Sequence, residues 1–208
     1  MILPKNFLKR LKKTSLFLLV LNGGGNYTMR KPNWKLWLQD KNECKFWLES
    51  YIRKRILKKS PDESKLHLRR ADHNLTFANW IIEKHKDEIP QVFGDDNFYD
   101  WVISIYYYAI YHIALALMSK EGYISKSHSA TLCFLIYHHY HLQKALEKED
   151  VELIASSLNK EDIETLGVSK ELREKACYDV HEQFEQRLAE QIREQAVDFA
   201  NKIKVLLK

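Results

Sequence analysis

Ser104-Ile105-Tyr106-Tyr107-Tyr108-Ala109-Ile110-Tyr111-His112 lies in the middle of a run from Phe98 to Lys120 that is almost wholly apolar or aromatic. A helix that is apolar on all sides has no solvent face, so this run predicts the buried centre of a helical bundle. Gly122 ends it, because glycine enters the left-handed cap conformation without strain. The remaining segments then read as helices packed around that centre.

Working outward, Leu66, Leu68, Ala71, Leu75, Ala78, Ile81 and Ile82 form an apolar face that runs toward Ile89, with Pro90 as its stop. Ser60-Pro61-Asp62-Glu63 reads as the start of that helix: serine as N-cap, proline at the first position, acids in the first turn. Phe93-Gly94-Asp95-Asp96-Asn97 reads as a loop. Further upstream, apolar residues at Trp34, Trp37, Leu38, Cys44, Trp47, Leu48, Tyr51, Ile52 and Ile56 predict one or two short helices. Downstream, Ser125-Lys126-Ser127-His128 leads into a helix through about Leu146, and residues 148–167 read as polar with minor helices. Gly167-Val168-Ser169 opens the last helix, amphipathic to Leu207, with Ser169 as N-cap and Glu171 in its first turn. No repeat, strand-like alternation or long linker is visible, so the expected fold class is all-α.

The chain has 208 residues, of which 45% are hydrophobic, with only 6 Gly and 4 Pro; one helical domain with an extension fits these figures. Cys44, Cys133 and Cys177 are odd in number and lack CxxC spacing, which argues against a disulfide framework or a structural zinc and fits a reducing cytoplasm. The net charge of +5 is unevenly spread. Residues 1–29 carry five basic groups and no acids, residues 30–70 a net +8, and the rest a net −8. A basic N-terminal third suits phosphates, anionic lipid or an acidic partner as well as it suits a solvated helix face.

Residues 1–28 form a doubtful extension. Lys5, Lys9, Arg10, Lys12 and Lys13 precede Leu16-Phe17-Leu18-Leu19-Val20-Leu21, which resembles the charged and apolar parts of a signal peptide. The apolar run is too short to cross a bilayer as a helix, and Asn22-Gly23-Gly24-Gly25 rather than a small-x-small site follows it. Glycine codons are G-rich and stand about where a ribosome-binding sequence would precede Met29. The expectation is a true start at Met29, with no membrane partner; membrane anchoring is the lesser reading. Residues 29–60 are then basic aromatic leading helices and residues 61–208 the bundle.

Several residues carry candidate chemistry. Arg173, Tyr178 and His181 cluster near the start of the last helix. Arginine binds two phosphate oxygens while staying charged, and histidine moves protons near neutral pH, the two needs of metal-free RNA cleavage. His112 lies four residues after Tyr108, on one face of the central helix, and serves a core hydrogen bond or a site. His128 follows Lys126 at a helix start, either as a phosphate-binding turn or as a cap. His138 and His141 share a helical face, but two ligands without a third make a weak metal site, so no metal and no cofactor is expected. Arg53, Arg55, Arg69 and Arg70, with Lys54, Lys58 and Lys59, interleave with Trp34, Trp37, Trp47 and Tyr51. Charge for phosphates and rings for bases would suit single-stranded RNA. The reading preferred for the tryptophans is packing of the leading helices onto the bundle.

Four segments in order resemble the HEPN superfamily (higher eukaryote and prokaryote nucleotide-binding domains), especially its small archaeal and bacterial members. Ala71-Asp72-His73-Asn74-Leu75 resembles the family's first core helix, and Ser104–His112 its aromatic second helix. Gly122 followed by Lys126-Ser127-His128 resembles the Gly…Lys-x-His turn, and Arg173-x-x-Ala176-x-Tyr178 the Arg-x-x-Ala-Asp-Tyr signature. The match spans residues 62–207. It implies an up-and-down bundle of four to five helices, with a short leading helix and a long C-terminal one. It also implies a homodimer that acts as a ribonuclease, or as the toxin half of a pair with a nucleotidyltransferase antitoxin. A non-catalytic module binding RNA, nucleotide or such a partner is the alternative. By resemblance Arg173 is the phosphate binder, Tyr178 a hydrogen-bonding or stacking group, and His181 the acid or base. Two departures stand out. Cys177 replaces the signature's Asp, and seven residues separate Arg173 from His181 where the family has four to six. That spacing sets the two about 80° apart around the helix and roughly 12 Å along it.

Overall fold

The computed structural model describes the backbone of residues 18–21, 27–158 and 178–208, and the side chains of residues 31–158 and 186–208. These residues form an all-α helical bundle with two short antiparallel ladders. In chain order come β1 (Leu18–Leu21), β2 (Tyr27–Arg30), α1 (Trp34–Gln39), α2 (Lys41–Arg53), β3 (Leu57–Lys59), α3 (Ser64–Lys84) and α4 (Glu88–Phe93). Then follow α5 (Tyr99–Lys120), β4 (Tyr123–Ser125), α6 (His128–Leu135) with a π-helical continuation (Ile136–Leu142), α7 (Lys148–Leu158) and α8 (Tyr178–Leu206). β1 pairs with β2, so Met29 stands opposite Leu19.

The central helix is α5. Tyr106, Ile110, Ile113, Leu117 and Met118 are fully enclosed, and α3, α8, α7 and α6 all pack against it. By length and composition alone it could cross a membrane, but 72% of its apolar window is buried inside the bundle, as a core helix requires. It is not buried all round, however: Trp101 and Tyr108 are 64% and 63% exposed.

Both ends of α3 differ from expectation. The helix begins at Ser64, not Pro61. Ser60 donates its N–H to the Gly122 carbonyl at 3.0 Å, which continues the β3–β4 ladder and leaves Ser60 four residues before the helix, too far to cap it. Asp62 instead accepts the Ser64 N–H at 2.8 Å. At the other end α3 stops at Lys84, and Pro90 sits inside the first turn of α4. A proline there removes an N–H that has no helical partner anyway. The break falls at His85: its Nδ1 donates to the Ile81 carbonyl at 2.9 Å, so its Nε2 accepts the Phe98 N–H at 2.9 Å and ties the helix end to the start of α5. Leu66, expected on the apolar face, is exposed.

The leading helices join the core. Trp37, Trp47 and Tyr51 are buried and pack ring to ring at 6.0 to 6.4 Å. Those three rings are therefore withdrawn from any surface. Cys44 on α2 and Cys133 on α6 are buried free thiols 3.9 Å apart, each donating to the other's backbone carbonyl. The β3–β4 ladder was not visible as strand alternation, because three residues are too few to show a period and the partners are far apart in sequence.

The helix after Ser127 does not continue to Leu146. It turns π-helical over Ile136–Leu142 and ends there. Wider turns separate two histidines that an α-helix would align. His138 stacks on Phe134 at 4.3 Å, whereas His141 Nε2 donates to the Trp37 carbonyl at 2.7 Å. His138 and His141 thus serve different neighbours and do not share a face. Among the described residues no three His, Cys, Asp or Glu side chains cluster as metal ligands.

Candidate nucleic-acid interface

Helical spacing puts His67, Arg70, Asn74 and Phe77 along one edge of α3, and Trp101, Ile105, Tyr108 and His112 along one edge of α5. Two contacts show that these edges adjoin. His67 Nδ1 lies 3.4 Å from His112 Nδ1, and Ser119 Oγ accepts the Glu63 N–H at 2.7 Å. α8 takes the other edge of α3, where Arg193 and Lys204 pair with Glu83 and Asp72. The His67–His112 edge stays open among the described residues.

Exposed rings flank this edge. Phe77 and Trp80 are 46% and 54% exposed and stack nearly parallel, 6.2 Å apart. Phe77 closes the exposed strip on the α3 edge and Trp101 and Tyr108 stand exposed on the α5 edge, whereas Trp80 lies about 60° further round α3, on the same side as Arg69. Single exposed rings are ordinary, but three on two adjoining helix edges that also carry Arg70 and two histidines suit a binding surface.

The histidines extend it toward the β3–β4 end. The Tyr111 ring lies 5.9 Å from His112 and 5.3 Å from His128. His128 is exposed and its Nδ1 donates to the Leu158 carbonyl at 2.8 Å, tying α6 to the end of α7. Ser127, not His128, caps α6, its Oγ accepting the Ala130 N–H at 3.3 Å. Lys126 is exposed just beyond Ser125, which pairs with Leu57, so Lys126 and Arg55 flank one end of the ladder. Arg55 holds its turn with φ of 54°. One track therefore runs from Arg55 and Lys126 through His128 and Tyr111 to His112, His67 and Arg70.

Of the residues singled out from sequence, Arg70, Tyr108, His112, His128, Lys126 and Arg55 lie along this track. Arg53 closes α2 and is exposed, and Arg69 is exposed on α3, about 100° around the helix from Arg70. Arg173 lies outside the described residues. Tyr178 and His181 are in α8, and their side chains are not among those described. Lys204 sits beside Asp72 near the His67 end, so Tyr178 is about 39 Å away along the α8 axis. Within one chain, the start of α8 and the His67–His112 pair lie toward opposite ends. His67, Tyr111, Phe77 and Trp101 are the residues that sequence reading missed. The seven-residue step from Trp101 to Tyr108 was a usable signal for one strip; the pairing of His67 with His112 needed the register of α3 on α5.

Burial holds the His112 imidazole down to about 4, helped by the neighbouring His67 and by the Arg70 charge. Burial, then Arg70, also lowers His67, partly offset by Glu63. His138 and His139 are lowered too, chiefly by burial. Each of these rings binds protons less readily folded than unfolded, where the usual value is about 6.5. Their contribution to stability is therefore complete above the unfolded value and is lost as pH falls below it, for His112 from about 6.5 toward about 4. The melting temperature is expected to fall across that window and to fall less in His112→Asn, as a calorimetric series in pH would show.

The chain matches no protein-family model, no curated protein and no solved structure.

Proposed function

We propose that this chain is an HEPN-like RNA-acting protein, an up-and-down bundle that binds RNA on the α3/α5 face and cleaves it without a metal. The observation that carries this reading is the track of Arg55, Lys126, His128, His112, His67 and Arg70, with Phe77, Trp101 and Tyr108 exposed on the same two helix edges. Cations meet phosphates, rings accept unstacked bases, and histidines handle protons, which together suit a single strand better than a duplex. On this reading the chain works as a homodimer in the cytoplasm, as a ribonuclease or as the toxin partner of a nucleotidyltransferase.

The second reading is a non-catalytic module that binds RNA, a nucleotide or that partner. The seven residues between Arg173 and His181 favour it, since these two side chains do not converge by the family's usual spacing. Incubation of the purified full chain with mixed RNA in EDTA separates the two. The expected products are shorter RNAs ending in a cyclic 2′,3′-phosphate. RNA bound but uncut would establish the non-catalytic module, and no RNA binding at all would contradict both.

A further inference from the structure

The stretched spacing at the start of α8 leaves open where the proton chemistry would occur. The described residues hold a better-formed arrangement elsewhere. His67 and His112 come from different helices, lie half-buried, meet Nδ1 to Nδ1 at 3.4 Å, and are set with their rings 28° from parallel. The contact uses only the Nδ1 atoms, and among the described residues it leaves each Nε2 for a ligand. It also requires one Nδ1 to carry a proton and the other to accept it. Arg70 is near enough for its charge to bear on both rings, and Tyr108 precedes His112 by one turn.

We propose that the His67–His112 pair is the acid–base site for RNA cleavage, with Arg70 binding the scissile phosphate. This rests on the RNA reading above and places the chemistry outside the last helix. One ring takes the ribose 2′-hydroxyl proton at Nε2 and passes its Nδ1 proton to the other ring's Nδ1. That second ring gives its own Nε2 proton to the departing 5′-oxygen. The 2′-oxygen–phosphorus bond forms as the phosphorus–5′-oxygen bond breaks, leaving a cyclic 2′,3′-phosphate and a 5′-hydroxyl. No oxidant or metal enters the balance, and each ring begins and ends neutral, with its tautomer exchanged. Water opening the cyclic phosphate runs the relay backwards and restores the starting tautomers.

Two rings kept neutral by burial would be a poor acid and base if each acted alone. As a relay they need no net charge, so the depressed basicity of both is compatible with the task. Among the described residues, Glu63, just before α3, Tyr111, which touches His112 and in turn His128, and Tyr123, which lines a cavity with His67, are the other titratable groups near it.

The test uses the full chain with His67→Asn, His112→Asn and His112→Ala. Asparagine keeps a hydrogen-bonding atom near the Nδ1 position, so the fold is retained, and circular dichroism checks that it is. Two quantities are read: the cleavage rate of RNA in EDTA, and the affinity for a 2′-O-methyl RNA that cannot be cut. Both Asn variants should lose at least about a hundredfold in cleavage rate, while affinity for the uncut analogue stays within about threefold. Free imidazole should restore part of the rate of His112→Ala, an effect a purely structural role would not give. Cleavage at the wild-type rate by either Asn variant overturns the proposal, as does a parallel loss of binding and cleavage. A wild type that binds RNA without cutting it overturns the proposal while leaving RNA binding standing. Failure of the wild type to bind either RNA overturns the RNA reading itself.

Discussion

Trp37→Ala lowers the stability of the fold by about 3–5 kcal/mol, because it empties a large site in a core that closes only partly around the gap. Trp37 is 1% exposed and touches both Trp47 and Tyr51. It also fixes α1, a helix of six residues, far too short to hold together alone. Trp37→Phe should cost much less, about 1 kcal/mol, although it too loses volume. The indole Nε1 of Trp37 is buried with no hydrogen-bond partner among the described residues. Replacing it with a ring that lacks the N–H removes a desolvated donor and offsets much of the lost packing. Urea unfolding of the three proteins measures both differences. An unchanged midpoint for Trp37→Ala would mean that the leading helices contribute nothing to the cooperative core.

Arg70→Glu and Lys126→Glu should each weaken binding of single-stranded RNA about tenfold or more at moderate salt, through loss of a phosphate contact and added repulsion. Each should also reduce the dependence of log affinity on log salt by about 0.7. Arg69→Glu supplies the control. It changes the net charge equally, but Arg69 lies on another edge of α3 from the His67–Phe77 strip. Fluorescence anisotropy across a salt series should therefore separate Arg70 from Arg69. Equal losses for the two would mean that RNA responds to overall charge and not to the track.

The helices were legible because their causes are local. The apolar run from Phe98 to Lys120 needed no partner to be read as a core helix, and Gly122, with φ of 73°, ends that region as expected. What was misread depends on distant partners. Ser60 looked like a cap until it is seen extending the ladder to Gly122, four residues before the helix, and Pro90 looked like a stop until the helix is seen to end at Lys84, before it. His138 and His141 shared a face only on the assumption of α-helical turns. The candidate site divides in the same way. Tyr108 and His112 announce themselves by their spacing, whereas His67 becomes part of a site only through the antiparallel register of α3 on α5. Trp37, Trp47 and Tyr51 read equally well as base-stacking rings or as core, and only burial assigns them to the core.

Photo-crosslinking of thiouridine-containing RNA to the full chain, with the attached peptides identified by mass spectrometry, tests most directly whether RNA lies on the α3/α5 face. Crosslinks should concentrate on Phe77, Trp101 and Tyr108, the exposed rings on the helix edges that carry His67, His112 and Arg70. Crosslinks confined to other surfaces, or none under conditions where RNA is bound, would contradict the account.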